Sequence, residues 1–274
     1  MNIVVEEIRI HPIKSLPGIR VHSARVLSKG LENDRRWMLV DEEGNFMTQR
    51  TLPAMSGFRL EMNGRSVKVM TRHIKQEPIE FPLQPDMTEP TLSQNCTIWD
   101  DQVLVSEPFP DLSRWFSEAL GVDCRLMYFP EDHARPIDPD HRPGESSDKV
   151  YHVSLADGYP VLLANAASLE ELNSRLSLPV TMDRFRPNIV LRGLTPYAED
   201  TMRRFRVGHC SFEAVKACPR CNLITIDPET GLSAPEPLSA LSEYRKKGNK
   251  VLFGMDCVPL KEETIYEGDE ITLL

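Results

Sequence analysis

The chain has 274 residues, 41% of them hydrophobic, enough for one large domain or two small ones with a buried core, which argues against a disordered chain. Its net charge of -9 excludes a bulk field that would coat nucleic acid or an anionic membrane, so an anionic ligand would need cations gathered locally. No apolar run approaches the roughly 20 residues of a membrane helix, and the opening MNIVVEEIRI lacks the basic and apolar regions of a signal peptide. The expectation is a soluble cytoplasmic protein with no nucleic-acid or membrane partner.

Short strands are predicted first. Val4 to Ile10, Arg36 to Val40 and Phe46 to Arg50 have strand composition, with Glu43-Gly44-Asn45 turning between the last two. Ser66 to Thr71 alternates around Val67 and Val69. Cys96 to Trp99 and Val103 to Ser106 flank Asp100-Asp101-Gln102, a second hairpin. At Asp111 to Leu120 the period becomes helical: Leu112, Trp115, Phe116 and Ala119 share a face, and Gly121 can end the helix. Pro130 to Asp148, rich in Pro, Asp, His and Gly, has no period and is expected to be a long loop, either a domain junction or an active-site flap.

Ser168 to Leu176 is expected to be a helix with a capping box of Ser168 and Glu171. Strands are expected again at Asn188 to Arg192, Ser211 to Lys216 and Leu223 to Ile226, a short helix at Pro237 to Lys246, and a last strand at Glu270 to Leu274. Many short strands with few helices indicate a mainly β (α+β) fold of barrel or sandwich type, not a doubly wound parallel sheet.

Six cysteines in a chain of this length do not form a disulfide scaffold. Two stand in Ala217-Cys218-Pro219-Arg220-Cys221. A CxxC pair serves structural zinc, a redox dithiol, or a single thiolate ligand to a soft metal beside a structural cysteine. Zinc needs four ligands, and no second CxxC or HxxxH exists here. A thioredoxin-like dithiol needs a helix after the pair, whereas Leu223-Ile224-Thr225-Ile226 is β-like. Arg220 beside Cys221 favours a thiolate, but on spacing alone two buried, inert cysteines are the commoner outcome.

Lys14, Arg35, Arg36, Arg186 and Arg220 sit next to turn-forming or polar residues, and lysine and arginine are the phosphate-binding side chains. Taken singly, each is more often a solvated charge. Asp157-Gly158-Tyr159-Pro160 is a turn whose amides can form an anion nest, a weak signal alone. His11, His152 and His209 are candidate ligands or bases, although a lone histidine is usually structural.

Six motifs in order are more specific than any one: HPIKSLPG at the start, Asp34-Arg35-Arg36-Trp37, Ala156-Asp157-Gly158-Tyr159-Pro160, NAASLEELNSRL from Asn165, RFRPNIV from Arg184, and CPRCNLITIDPETG from Cys218. Over nearly its whole length the chain resembles MOSC-domain proteins that carry the MOSC N-terminal β-barrel-like domain, nearest the bacterial relatives of the mitochondrial amidoxime-reducing component. The resemblance implies an N-terminal domain over 1–122 and a MOSC domain over 123–274. It implies a molybdenum-molybdopterin cofactor, in the plain mononucleotide-free form, with Cys221 as metal ligand and catalytic residue and Cys218 as the structural partner. It further implies that Lys14, Ser15, Arg35 and Arg186 grip the pterin and its phosphate, that Asp157, Gly158 and Tyr159 add contacts, and that Pro219 and Arg220 lie beside the metal. Asn188, Asp227 and the long loop are candidates for shaping the pocket.

The activity implied is reduction of small N-hydroxylated or N-oxygenated compounds, with electrons from a separate ferredoxin- or flavoprotein-type donor. There are two departures from the family pattern. A C-terminal ferredoxin domain of C-x4-C-x2-C spacing, present in some relatives, is not in this sequence, so the chain either uses a separate donor or is part of something longer. Pro219 stands where relatives often have Ser, which removes a hydroxyl contact to the cofactor. Two alternatives stay open: a molybdenum cofactor carrier without turnover, the setting of MOSC domains in cofactor sulfurases with their pyridoxal phosphate, and a zinc or thiol-redox protein using Cys218 and Cys221.

Overall fold

A computed structural model describes residues 2–88, 91–137 and 150–274. The chain is mainly β. Its largest sheet has nine strands, ordered Ile19–Val21, Val4–Ile10, Ile189–Arg192, Val161–Asn165, Lys250–Pro259, Cys210–Arg220, Arg204–Val207 and Ile271–Leu273, with Lys246–Lys247 pairing beside Lys250–Pro259. The last strand returns to the first: Ile271 donates its amide to Ile3 at 2.8 Å, and Glu270 bridges Val4. The two ends of the sheet therefore meet, and closure leaves few unpaired edge groups.

The first strands of the chain lie in this sheet with strands of the C-terminal half. Ile8 is opposite Ile189, and Val5, Ile8 and Ile10 point into the core. Of the other N-terminal strands, Ser23–Leu27 and Gly30–Leu31 form a sheet with the C-terminal Glu263–Tyr266, and the rest form a four-stranded sheet (Trp37–Val40, Arg125–Tyr128, Asp101–Glu107, Leu92–Ile98) and a three-stranded one (Phe58–Asn63, Ser66–Thr71, Ile79–Pro82). Trp37, fully buried, joins these layers. Its ring meets Phe81 at 5.1 Å and Tyr128 at 4.8 Å, and its Nε1 donates to the Leu83 carbonyl at 3.0 Å.

The helix Pro110–Leu120 starts with Pro at its first turn and ends at Gly121, whose φ of 67° lets its amide reach the Ser117 carbonyl at 2.8 Å. Three expected elements differ. Phe46 to Arg50 is not a strand: only Asn45 and Phe46 make single bridges, and the Thr48 carbonyl accepts from the amides of Thr51 and Leu52 in a turn. Leu223 to Ile226 is not a strand either, since Asn222–Thr225 coils into a 3-10 turn with Ile224 and Thr225 buried. Ser168 is not the cap of its helix. The helix is Ala166–Asn173, capped by Asn165, whose side chain accepts from Ala167 at 3.1 Å. Ser168 is instead buried within it and donates to Glu199 at 2.7 Å.

The second hairpin turns at Trp99 and Asp100, with Asp101 and Gln102 already in the strand. Of the loop expected at Pro130 to Asp148, residues 138–148 lie outside the described residues. Arg135–Pro136 pairs with His152–Val153 in a short ladder. Among the described residues no helix is long and apolar enough to cross a membrane.

Candidate functional site

Five segments converge on one cavity of about 300 Å³. The turn after strand Val4–Ile10 supplies Lys14 and Ser15. It runs beside residues 33–37, the Lys14 amide donating to the Trp37 carbonyl at 2.7 Å and the Arg35 amide to His11 at 2.8 Å. Arg35 in turn accepts from the Leu155 amide at 3.1 Å, which places the Asp157-Gly158-Tyr159 bend against it. Phe185, Arg186 and Asn188 precede the strand Ile189–Arg192. The long strand Cys210–Arg220 brings Lys216, Cys218, Pro219 and Arg220, with Cys221 next in the chain. All the site residues expected from the sequence (Lys14, Ser15, Arg35, Asp157, Gly158, Tyr159, Arg186, Asn188, Pro219, Arg220 and Cys221) line this cavity.

Three of them hold their backbones in the left-handed region: Ser15 at φ 66°, Arg35 at 52° and Arg186 at 56°. That conformation costs a residue other than glycine about 1–2 kcal/mol, and such residues concentrate at functional sites. The strand carrying the cysteines is also irregular. Its register against Lys250–Pro259 breaks between Ala214 and Lys216 and again between Ala217 and Pro219, and bulges of this kind re-aim side chains. Gly254 makes the second break sterically feasible: its φ is 77°, and a Cβ there would lie 2.7 Å from the Leu163 carbonyl oxygen.

The lining is cationic. Lys14, Arg35, Arg50, Arg186, Lys216 and Arg220 face two carboxylates, Asp157 and Asp256. Lys14 is buried and donates to the Leu155 carbonyl at 2.8 Å and to Asp157. Burial lowers its pKa to about 8, against the opposing pull of Asp157. Burial also brings Arg186 down to about 9, with Arg35 adding repulsion. Arg35 donates to Asp34 at 2.5 Å, to Asn188 Oδ1 at 3.2 Å and to the Arg186 carbonyl at 3.2 Å. Crowding by protein atoms pushes the Asp157 carboxyl up, but Lys14 and Trp99 outweigh it and hold it well below the usual carboxylate range.

Burial raises Asp256 to about 6 although Lys216 and Arg220 face it. The two cysteines differ. Cys221 is exposed at the head of the Asn222–Thr225 turn. Cys218 is half-buried, 3.2 Å from Arg220, and burial followed by the charge of Asp256 pushes its thiol up to about 12. The Arg220 Nε is buried without a hydrogen-bond partner, while its Nη2 donates to the Phe185 carbonyl at 2.7 Å.

Other candidates fall outside the lining. Arg36 is fully buried, donating to Glu131 at 2.7 Å and to the Asp34 carbonyl at 2.6 Å, so it joins loops together. His11 is buried under Gly18, and burial followed by the charges of Arg186 and Arg35 keeps it neutral. His152 sits in the short ladder, and His209 in a surface turn. Asp227 caps its own turn, accepting from the amides of Glu229 and Thr230 at 2.9 Å. Among the described residues no group of three or more His, Cys, Asp or Glu is arranged to hold a metal ion.

Sequence reading missed Arg50, Lys216 and Asp256. A charged residue inside an otherwise apolar strand, as in Gly254-Met255-Asp256-Cys257-Val258, is the signal that marks the last of these. It also missed Arg135 and Trp99, which fix Asp157 from outside: Arg135 donates to the Asp157 carbonyl at 2.9 Å and Trp99 Nε1 to its carboxylate at 3.2 Å.

The chain matches the family model of the MOSC N-terminal beta barrel domain over residues 2–123 and that of the MOSC domain over 150–272. It is 33% identical to mitochondrial amidoxime-reducing component 1 of Mus musculus, over 98% of this chain and 82% of that protein. It is 31% identical to the protein of the same name from Homo sapiens, again over 98% and 82%. It is 31% identical to the molybdenum cofactor sulfurase of Oryza sativa subsp. japonica over 99% of its own length, which is 34% of that larger protein. The chain therefore belongs to the MOSC-domain family, in the branch that carries the MOSC N-terminal β-barrel domain and includes the mitochondrial amidoxime-reducing components.

Proposed function

We propose that the cavity binds a molybdenum-pterin cofactor, that the Cys221 sulfur is the protein's ligand to the metal, and that the chain reduces small N-hydroxylated compounds. The observation that carries this reading is the position of one exposed thiol, Cys221, at the edge of a cavity where six cations converge in a protein of net charge -9. The residues fit the group. Arg220 keeps a buried Nε without a partner, left-handed backbone is concentrated at Ser15, Arg35 and Arg186, and a thiolate is the donor a soft metal prefers. The names of the relatives, amidoxime-reducing component and molybdenum cofactor sulfurase, support the same association.

In this reading Lys14, Arg35 and Arg186 hold the phosphate and pterin, Asn188 fixes Arg35, and the Asp157 bend is tied down by Lys14. Tyr159, beneath the Lys216 ammonium 4.7 Å from its ring, walls one side. Pro219 and Arg220 close the cavity beside Cys221. A molybdenum centre held there would supply the two-electron reducing chemistry that cleavage of an N–O bond needs. The substrate gains two electrons and two protons, its N–O bond breaks, and water leaves with the N–H product, an amine from a hydroxylamine or an amidine from an amidoxime. The electrons come from a separate donor protein. Cys218, with its thiol held protonated by burial and Asp256, keeps its proton and takes a structural part.

Elemental analysis and pterin fluorescence on protein made in a host that synthesises the cofactor test the binding. An anaerobic assay with reduced viologen and an amidoxime tests the turnover. Molybdenum near one equivalent, lost in Cys221→Ala and kept in Cys218→Ala, is the expected result. Zinc in place of molybdenum would refute the reading, and equal loss in both variants would indicate a paired dithiol. Full loading without turnover would leave the carrier function that the sulfurase relative suggests.

A further inference from the structure

Beyond the cofactor cavity lies a second depression, an open groove of about 750 Å³. Arg220 lines both, so the groove begins where the cavity wall ends, one residue from Cys221. Its walls combine hydroxyls (Thr225, Ser233, Ser239 and Ser242) with Leu238 and Val251. The charged side chains in its lining are Arg220 and Lys246; among the described residues no carboxylate lines it. Its rim is the hairpin Lys246 to Lys250, in which Lys246, Lys247 and Lys250 are all exposed.

The register links this rim to the site. Lys246 is opposite Val251, and Val251 is opposite Arg220. Strands lie about 4.8 Å apart, so the Lys246 backbone is about 10 Å from that of Arg220, with Cys221 the next residue. Neighbouring charges offset the lysines only in part: Glu243, exposed on the preceding helix, is the one carboxylate within four residues of Lys246 in sequence, against three lysines. Arg245 is already matched by Asp200 at 2.7 Å, and Glu236 faces away to Ser177 Oγ at 2.7 Å. Among the described residues Lys246, Lys247 and Lys250 make no ion pair with a carboxylate of the chain. An acidic molecule repels other acidic proteins over most of its surface, so a local cationic face sets where one can approach.

We infer that this groove and its lysine hairpin form the docking face for the electron donor, and that the donor is a small acidic one-electron carrier protein. The inference rests on the reductase reading above and adds to it the place and the charge of the partner. Docking here brings the carrier against the strand end that bears Arg220 and Cys221. The carrier gives up its electrons singly, and two encounters supply the pair that reduction of one N–O bond consumes. The exposed lysines act on encounter and orientation, so their contribution falls with ionic strength, whereas the groove itself fixes the complex.

The experiment compares two electron sources for the same molybdenum-loaded protein: reduced viologen, a small dye with no docking requirement, and a reduced plant-type [2Fe–2S] ferredoxin. The variant is K246E/K247E/K250E, with K246Q/K247Q/K250Q as the intermediate step. The expected result is a fall of at least about tenfold in ferredoxin-driven kcat/KM for the reversed variant, a smaller fall for the neutral one, and a viologen-driven rate within about twofold of the unaltered protein. Ferredoxin-driven turnover of the unaltered protein should also decline with salt more steeply than that of the variant. Ferredoxin rates indifferent to the charge reversal, or an equal fall with both donors, overturn the docking face and leave the reductase reading standing. Absence of viologen-driven turnover in the unaltered protein overturns the reductase reading, and the docking face with it.

Discussion

Lys14→Met separates the cost of the buried cation from its contacts, and pH varies one against the other. The lysine is 5% exposed and donates to the Leu155 carbonyl at 2.8 Å while pairing with Asp157. Burial is the largest cause of its fall in pKa from 10.5 to about 8; Asp157 opposes the fall, and Arg135 and Arg35 add to it. At about 1.4 kcal/mol per pH unit, that fall is about 3 kcal/mol of destabilisation of the folded chain at neutral pH. The sign follows from proton binding. Between pH 8 and 10.5 the unfolded chain binds more protons at this lysine than the folded chain does, so stability rises with pH through that window. Methionine has neither the charge nor the penalty, but it leaves the buried Leu155 carbonyl without its donor, at about 1–3 kcal/mol. At pH 7 these effects nearly cancel, and the variant should unfold within about 2 kcal/mol of the unaltered protein. At pH 10.5 only the loss remains. Urea unfolding followed by tryptophan fluorescence at several pH values gives the difference directly, and titrations common to both proteins drop out. The unaltered protein should gain about 3 kcal/mol relative to the variant across the window. Parallel stability curves would refute the reasoning, because they would mean that Lys14 keeps its ordinary proton affinity in the folded chain.

Two further outcomes test the cavity wall. Gly254→Ala adds a Cβ 2.7 Å from the Leu163 carbonyl oxygen at φ 77°, where neither strand can retreat, and should cost about 2–4 kcal/mol by urea unfolding; Gly64→Ala, at φ 59° in open space, should lose about 1 kcal/mol, and equal losses would refute the packing account. Alkylation with iodoacetamide at pH 8, read by peptide mass spectrometry on cofactor-free protein, should label exposed Cys221 first and Cys218 much more slowly, because a thiol pushed up to about 12 carries little thiolate; equal rates would contradict the division of roles between the two sulfurs.

Much of the strand pattern was legible because it is local. Val4–Ile10 and Ser66–Thr71 were read with the bounds they have, and Gly121 marked the end of a helix, since alternation and a left-handed cap are properties of neighbouring residues. Phe46 to Arg50 misled because its composition suits a strand while the Thr48 carbonyl is committed to a turn. Leu223 to Ile226 misled because its apolar residues are buried by the 3-10 turn after Cys221, an arrangement that burial alone does not distinguish from a strand. The meeting of Lys14, Arg35, Asp157, Arg186 and Arg220 was not legible from periodicity. It depends on which strands are neighbours in the closed sheet, and it was anticipated through the ordered motifs of the resemblance. The left-handed backbones of Ser15, Arg35 and Arg186 were hidden for a different reason: glycine is the residue that announces this conformation in a sequence, and none of the three is glycine.

Those three residues and the cations around them are best understood together. Each left-handed backbone costs the fold about 1–2 kcal/mol; Arg35 is held by the His11 carbonyl and the Leu155 amide, and Arg186 donates its amide within its own turn to the Asp183 carbonyl at 3.2 Å. The charges are costly too. Burial, and after it the charge of Arg35, lowers the affinity of Arg186 for protons; the Asp34 carboxylate pairs with Arg35 at 2.5 Å, whereas the Arg186 side chain is met by the Leu16 carbonyl oxygen at 2.7 Å. Carbonyl dipoles orient a guanidinium without cancelling its charge. A fold that bears strain and repulsion at the same few residues is less stable empty than filled, because an anion seated among Lys14, Arg35 and Arg186 removes the repulsion and adds charge-assisted hydrogen bonds. The same residues that make the empty cavity unfavourable therefore make it selective for an anionic occupant, and the cost of keeping them buried is recovered when that occupant binds.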